Sequence, residues 1–290
     1  VSEAIADVAV PGRRVSLAAR ALRRTPARIG LAITLSFLLL TIAAGWLAPY
    51  DPLDQDLSSA LSPPASDHWF GADQYGRDML SRVMYGTRTA LLAVIVADGI
   101  ALVLGCAMGL VAGFFGGRID SVLMRLVDVL LAFPYLLLAL IIVAALGPGL
   151  TNSMIAIGIV YTPQYARLIR GQVLAVRGAE YVRAARALGA SRLRIMLRHV
   201  LPNSFAPILV MATLQAGSVI VETAGLSFLG LGAQPPSPDW GALLADGQSY
   251  FLTAWWIATF PGLAIFVVVI GFNLLGDALR DVADPRRSAR

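Results

Sequence analysis

Between Ile29 and Tyr50 the chain carries no charged side chain, and comparable apolar runs recur along its length. Crossing the ~30 Å hydrocarbon core of a bilayer takes about 20 such residues, whereas a helix on a soluble core needs only one apolar face. Composition agrees: 57 % of residues are hydrophobic, 14 % are charged and mean hydropathy is +0.72, against about 25 % charged in an ordinary soluble domain. The sequence predicts an all-α polytopic membrane protein.

Turn residues divide the apolar runs into about six spans. The first is Ile29 to Tyr50, longer than the ~7–15-residue core of a signal peptide and therefore an anchor. The second runs from about Thr89 to Phe115 and the third from Val122 to Leu146, with Gly116, Gly117, Arg118 and Asp120 between them. A long uncharged stretch is then cut by Gly147-Pro148-Gly149-Leu150-Thr151-Asn152, as such turn chemistry requires. The remaining spans are about Ser153 to Ile169, Ser204 to Gly225 and Ala254 to Gly276.

The net charge of +5 comes from arginine alone, since the chain has no lysine. Its distribution sets the expected orientation. Arg13, Arg14, Arg20, Arg23, Arg24 and Arg28 precede the first span, and Arg167, Arg170, Arg177, Arg183, Arg186, Arg192, Arg194 and Arg198 flank the connection between spans four and five. Arg118 and the tail arginines Arg280, Arg286, Arg287 and Arg290 fall on the same side. The loop after span one instead holds Asp51, Asp54, Asp56, Asp67, Asp73 and Asp78 against Arg77, Arg82 and Arg88. Both termini are thus expected in the cytoplasm. The segments are a cytoplasmic 1–28, a first span 29–50, an extracytoplasmic 51–88, a core 89–276 and a cytoplasmic tail 277–290. Within the core, 170–203 is a cytoplasmic loop and 226–253 an outer loop.

In the cytoplasmic loop, Tyr181, Ala184, Ala185 and Leu188 recur at i, i+3, i+4 and i+7, with Glu180, Arg183 and Arg186 on the other face. This predicts a short amphipathic helix ended by Gly189. Isolated helices need about 12–15 residues in water, so this one requires something to pack on. A soluble partner fits the alanine-lined face; the chain's own membrane domain and the lipid headgroups are the alternatives.

Beyond Gly189 come Leu201 and Pro202, and this spacing resembles the cytoplasmic loop of binding-protein-dependent importer permeases of the ATP-binding cassette class. That loop reads Glu-Ala-Ala, three residues, Gly, nine residues, Ile-x-Leu-Pro. Here Arg183-Ala184-Ala185, Gly189 and Leu201-Pro202 keep the spacing, with Arg183 in place of Glu and His199 in place of Ile. Three further stretches are similar to the C-type permease of the dipeptide, oligopeptide and nickel importers: Gly71-Ala72-Asp73-Gln74-Tyr75-Gly76-Arg77-Asp78 with Ser81-Arg82, Leu226 to Gly232 with Gln234-Pro235-Pro236 and Asp239-Trp240-Gly241, and Asn273 to Asp281 with Asp284-Pro285-Arg286.

The resemblance implies a type I importer fold in a bacterial inner membrane. It also implies a second related permease, two cytoplasmic ATPases, an extracytoplasmic binding protein, and a peptide or similar small solute. Glu180, Tyr181, Arg183, Ala184, Ala185, Leu188, Gly189, Leu201 and Pro202 would then contact an ATPase. Gln234, Pro235, Pro236, Asp239 and Trp240 are candidates for the outer docking surface.

Ionisable groups inside spans cost a few kcal/mol and usually face protein or water. Asp98 and Glu222 are such groups. Each either lines a solute path or bonds a neighbouring helix. Arg125 and Asp128 have the spacing of an ion pair. Gly105, Gly109 and Gly113 form a strip suited to close helix packing, and Pro134 and Pro261 are candidate kinks.

Other chemistry is excluded by inventory. Without lysine there is no Gly-x-x-x-x-Gly-Lys-Ser/Thr phosphate loop, so ATP and magnesium belong to partners and the chain is expected to bind no cofactor and to catalyse nothing itself. Cys106 is alone, His68 and His199 are assigned to opposite sides, and no metal site is expected. Nothing points to nucleic acid. The rival from another class is an ion-gradient-driven transporter acting alone through Asp98 and Glu222, disfavoured by the lack of an inverted repeat.

Overall fold

In the computed structural model the described residues are 25–283. Arg13, Arg14, Arg20, Arg23 and Arg24, and the tail residues Asp284, Pro285, Arg286, Arg287 and Arg290, lie outside them. The fold among these residues is all-α, with one isolated antiparallel bridge, Ala72 to Asp78.

Among the described residues, and beside a single 3-10 turn at Leu57–Ser59, ten α-helical elements follow in order: α1 Thr25–Leu47, α2 Met79–Phe115, α3 Gly117–Leu131, α4 Tyr135–Leu146, α5 Leu150–Val176, α6 Glu180–Ala187, α7 at 192–203, α8 Phe205–Phe228, α9 Trp240–Gln248 and α10 Trp256–Ala283. Helices α1, α2, α8 and α10 are long and apolar enough to cross a membrane. The pair α3 and α4 forms a fifth candidate, bent by 94°. The break falls where Pro134 removes a backbone donor. The expected third span is therefore two arms rather than one rod. The expected fourth span corresponds to α5, which is long enough at 27 residues but more polar. It can be so because it is the most enclosed helix, buried along α2 and touched by α4 and α8.

Helix α2 begins ten residues before the expected Thr89. Its start is fixed by Asp78, whose carboxylate accepts from the Ser81 amide at 2.7 Å, as an N-cap should. At 37 residues it is about 55 Å long, more than a bilayer core, so its first turns stand beyond the hydrocarbon. A turn of π-helix, Val94–Asp98, interrupts it at mid-length.

Three packed clusters result. One joins α1, the start of α2, α8, α9 and α10 around Phe37, Met79, Trp240, Trp256 and Phe272. A second joins the middle of α2 to α4, α5 and α8 around Met154, Ile157, Tyr161 and Tyr165. The third sits at the opposite end from α9 and includes α6 and α7. Gly105, Gly109 and Gly113 let α2 lie directly on α5: a Cβ on Gly113 would come within 2.8 Å of the Val173 Cβ, and one on Gly109 would collide with the Ala166 carbonyl. The glycine strip is a packing device.

A docking helix and a polar strip as candidate functional sites

Helix α6 starts after Ala179 and stops at Gly189, whose φ of +79° lies in the region that favours glycine. There Ala190 N–H donates to the Ala185 carbonyl at 3.1 Å and Gly189 N–H to that of Arg186 at 3.0 Å. This is the reciprocal termination that closes a helix through a left-handed residue. Ser191 then caps α7.

The expected apolar face of α6 is divided by the structure. Val182, absent from that face, is fully buried. Ala185 is half-buried against the same cluster, where Val182 meets Leu110 of α2, Ile169 and Val173 of α5, Ile195, Met196 and Val200 of α7, and Ile208 of α8. Tyr181, Ala184 and Leu188 point the other way: Leu188 is 88 % exposed and Tyr181 44 %. Glu180, Arg183, Gly189 and Pro202 are also exposed, while Leu201 packs partly inward. The loop therefore has an inner face held by its own membrane domain and an outer apolar face left open. Burying Val182 contributes about 1.5–3 kcal/mol toward holding the helix against its membrane domain. The signal for Val182 is its apolar side chain beside Ala185 on the helical wheel, at the border of the polar arc.

Arginines brace this end. Arg170 of α5 grips Asp120 of α3 through two parallel hydrogen bonds, 2.5 and 2.7 Å. Arg177 donates to the Gly113 carbonyl at 2.9 Å. Asp128 pairs with Arg167 of α5 at 2.7 Å, which replaces the local Arg125 pairing expected from spacing.

The two in-span carboxylates differ. Asp98, at the end of the π turn, is 7 % exposed and accepts from Tyr165 Oη at 2.6 Å. Glu222 of α8 accepts from Tyr161 Oη at 2.5 Å and is half-buried. Both partners are on α5, one turn apart. Each carboxylate thus ties α5 to a neighbour, and the two differ in access.

At the other end, the Gly71–Arg82 motif builds a closed cap. Buried Asp73 takes Arg77 Nε at 2.6 Å, the amides of Tyr75 and Arg77, and lies 3.6 Å from Arg82 Nε. Arg82 also donates to the Pro52 carbonyl. His68 Nδ1 lies 2.9 Å from Asp78. Trp256 donates to the Ala72 carbonyl and Trp240 to that of Val83.

This corrects part of the expected outer docking surface. Gln234, Pro235 and Pro236 are exposed, but Asp239 and Trp240 are 4 % and 2 % exposed. Asp239 caps α9 by accepting from the Gly241 and Ala242 amides. Burial pushes its carboxyl above the usual range, opposed by those hydrogen bonds. Asp246 of α9 is raised for the same reason, with Arg82 and Arg77 opposing. Among the described residues no group of His, Cys, Asp and Glu has the arrangement of a metal site.

A helical bundle with four or five candidate spans, an end-mounted amphipathic helix and a capped opposite end defines a multi-pass membrane protein. Residues 105–289 match the family of binding-protein-dependent transport system inner membrane components, and residues 16–64 match the N-terminal membrane domain of oligopeptide transport permease C. The chain belongs to this family, as a permease subunit of an ATP-driven importer in the bacterial inner membrane.

Relatives are similar over most of their length. The probable D,D-dipeptide transport system permease of Escherichia coli is 46 % identical over 89 % of this chain and 87 % of that protein. The di/tripeptide transport system permease of Pseudomonas aeruginosa has the same identity and coverage. The glutathione transport system permease of Pectobacterium atrosepticum is 44 % identical, again over 89 % and 87 %. Among solved structures, a chain of the inward-facing MetNI methionine ABC transporter superposes with a TM-score of 0.57 at 18 % identity, covering 71 % of this chain and 98 % of that one.

Proposed function

We propose that this subunit forms half of a translocation pathway for di- or oligopeptides, and that α6 is the element through which cytoplasmic ATPases drive it. One observation carries the coupling part: a helix anchored by Val182 leaves Tyr181, Ala184 and Leu188 exposed among the described residues, Leu188 almost wholly so. Exposed apolar side chains on a rigid mount suit a groove in a soluble partner. The peptide part follows the names of the relatives.

On this reading the α6 end and both termini are cytoplasmic, and loop 170–203 receives the ATPase. A second, related permease completes the path. Two ATP-binding-cassette ATPases hydrolyse ATP with magnesium as their cofactor, and this chain contributes no catalytic residue. An extracytoplasmic binding protein delivers solute to the opposite end, near Gln234–Pro236. Because Val182 shares one cluster with Leu110, Ile169 and Ile208, displacement of α6 moves the ends of α2, α5 and α8 together.

The test is purification of the tagged chain from its native membrane with identification of what accompanies it. A second permease and ATPases are expected with the wild type. Ala184→Glu, at an exposed site, should lose the ATPases and keep the second permease. An unchanged complement contradicts the coupling assignment, and a solitary chain that still transports contradicts the whole reading.

A further inference from the structure

The α5–α8 seam carries a polar strip of helical spacing. Tyr161 and Gln164 lie on α5, and Gln215, Ser218 and Glu222 lie on α8 at i, i+3 and i+7. The strip is cross-linked: Gln215 Nε2 donates to Gln164 Oε1 at 3.1 Å and Tyr161 Oη donates to Glu222 Oε1, with Ser218 beside the same phenol. Gln164, Gln215, Ser218 and Glu222 are all partly exposed in the chain by itself. Gln215 and Ser218 sit near the middle of α8, and Glu222 about 6 Å further along at 1.5 Å per residue.

Hydrocarbon cannot solvate such a strip, so something polar must face it. The contrast with Asp98 narrows what that is. Asp98 has comparable tyrosine support but is enclosed, so its role is complete within the chain. Glu222 is open, and among the described residues no arginine pairs with it and its Oε2 receives no hydrogen bond. A half-exposed carboxyl with one oxygen free can accept from a donor outside this chain. The neighbouring amides offer donors and acceptors of the kind a peptide backbone uses.

Resting on the peptide reading above, we propose that this strip lines the water-filled side of the subunit and that Glu222 holds the ammonium group of a passing peptide. Tyr161 is then a positioning residue: it fixes Oε1 and turns Oε2 to the path.

The experiment uses the assembled importer in proteoliposomes. Cys106 is the single cysteine, so Ser218→Cys and Gln215→Cys can each be placed in a Cys106→Ala background and exposed to a water-soluble, membrane-impermeant thiol reagent, with and without ATP. Leu39→Cys on the exposed face of α1 is the lipid-facing control. The expected result is modification of the strip on the order of tenfold faster than of the control, slowed by dialanine, with the slowing abolished by Glu222→Gln.

Cysteines at both strip positions that react no faster than the control in any state overturn the proposal. Protection by dialanine that survives Glu222→Gln overturns the role of Glu222. A reactive strip that no peptide protects supports the aqueous placement and overturns the peptide assignment instead.

Discussion

The two ends of this molecule satisfy themselves to different degrees. At the Gly71 end, Asp73, Arg77, Arg82 and Asp78 are 0–3 % exposed, and their charges are answered within the cap. At the α6 end, one face is buried through Val182 while Leu188 stands 88 % exposed. Both ends carry recognisable motifs, yet only one leaves surface unspent. A motif whose charges are internally neutralised is architecture; one that keeps apolar side chains in water is shaped for a partner.

The largest effect should come from breaking the closed end. Asp73→Asn leaves buried Arg77 without its hydrogen-bonded anion and Arg82 with Asp246 as its remaining one, which costs about 3–5 kcal/mol, and should appear as a large loss of thermal stability in detergent. Full stability in that variant would erase the contrast between the ends. Next is the central seam. Gly109→Leu drives a side chain into the Ala166 carbonyl and should cost about 1–3 kcal/mol or more, measured in the same assay.

A smaller effect concerns pH. Burial raises the carboxyls of Asp239 and Asp246, so the folded cap binds protons more readily than the unfolded chain. Stability from these two groups is therefore highest below their unfolded values and declines as pH rises through their raised folded values. Asp239→Asn, which keeps a capping oxygen, should flatten the stability profile between mild acid and neutral pH. A profile as steep as wild type would assign the dependence elsewhere. The smallest effect is at the open end, where Leu188→Ser should change the stability of the chain itself by no more than about 0.5 kcal/mol. A larger loss would mean that Leu188 already has a partner within the chain.

Much of this was legible in the sequence. The uncharged runs gave the helices, and turn residues placed the breaks at Gly116, Gly147 and Gly189 within a few residues. Periodicity alone missed the early start of α2, because Arg82 reads as a loop residue until Asp73 neutralises it from elsewhere in the cap. It missed the 94° break in α3–α4, since a proline in an apolar run does not announce whether it bends or breaks a helix. It left open whether the apolar face of α6 meets a partner or the bundle and did not single out Val182, because the wheel shows which side chains share a face but not which face meets the bundle. Asp239 and Trp240 read as surface from their proline-rich context, whereas a cap and an indole hydrogen bond draw them inside.

The central claim is that the open face of α6 meets an ATPase. Its most direct test is Leu188→Cys in the Cys106→Ala background, treated with a short bifunctional cross-linker in native membranes. A cross-linked product between this chain and an ATPase, with yield that changes on ATP binding, is the predicted result. A cysteine that reacts freely with small thiol reagents but never joins an ATPase in any nucleotide state would contradict the account.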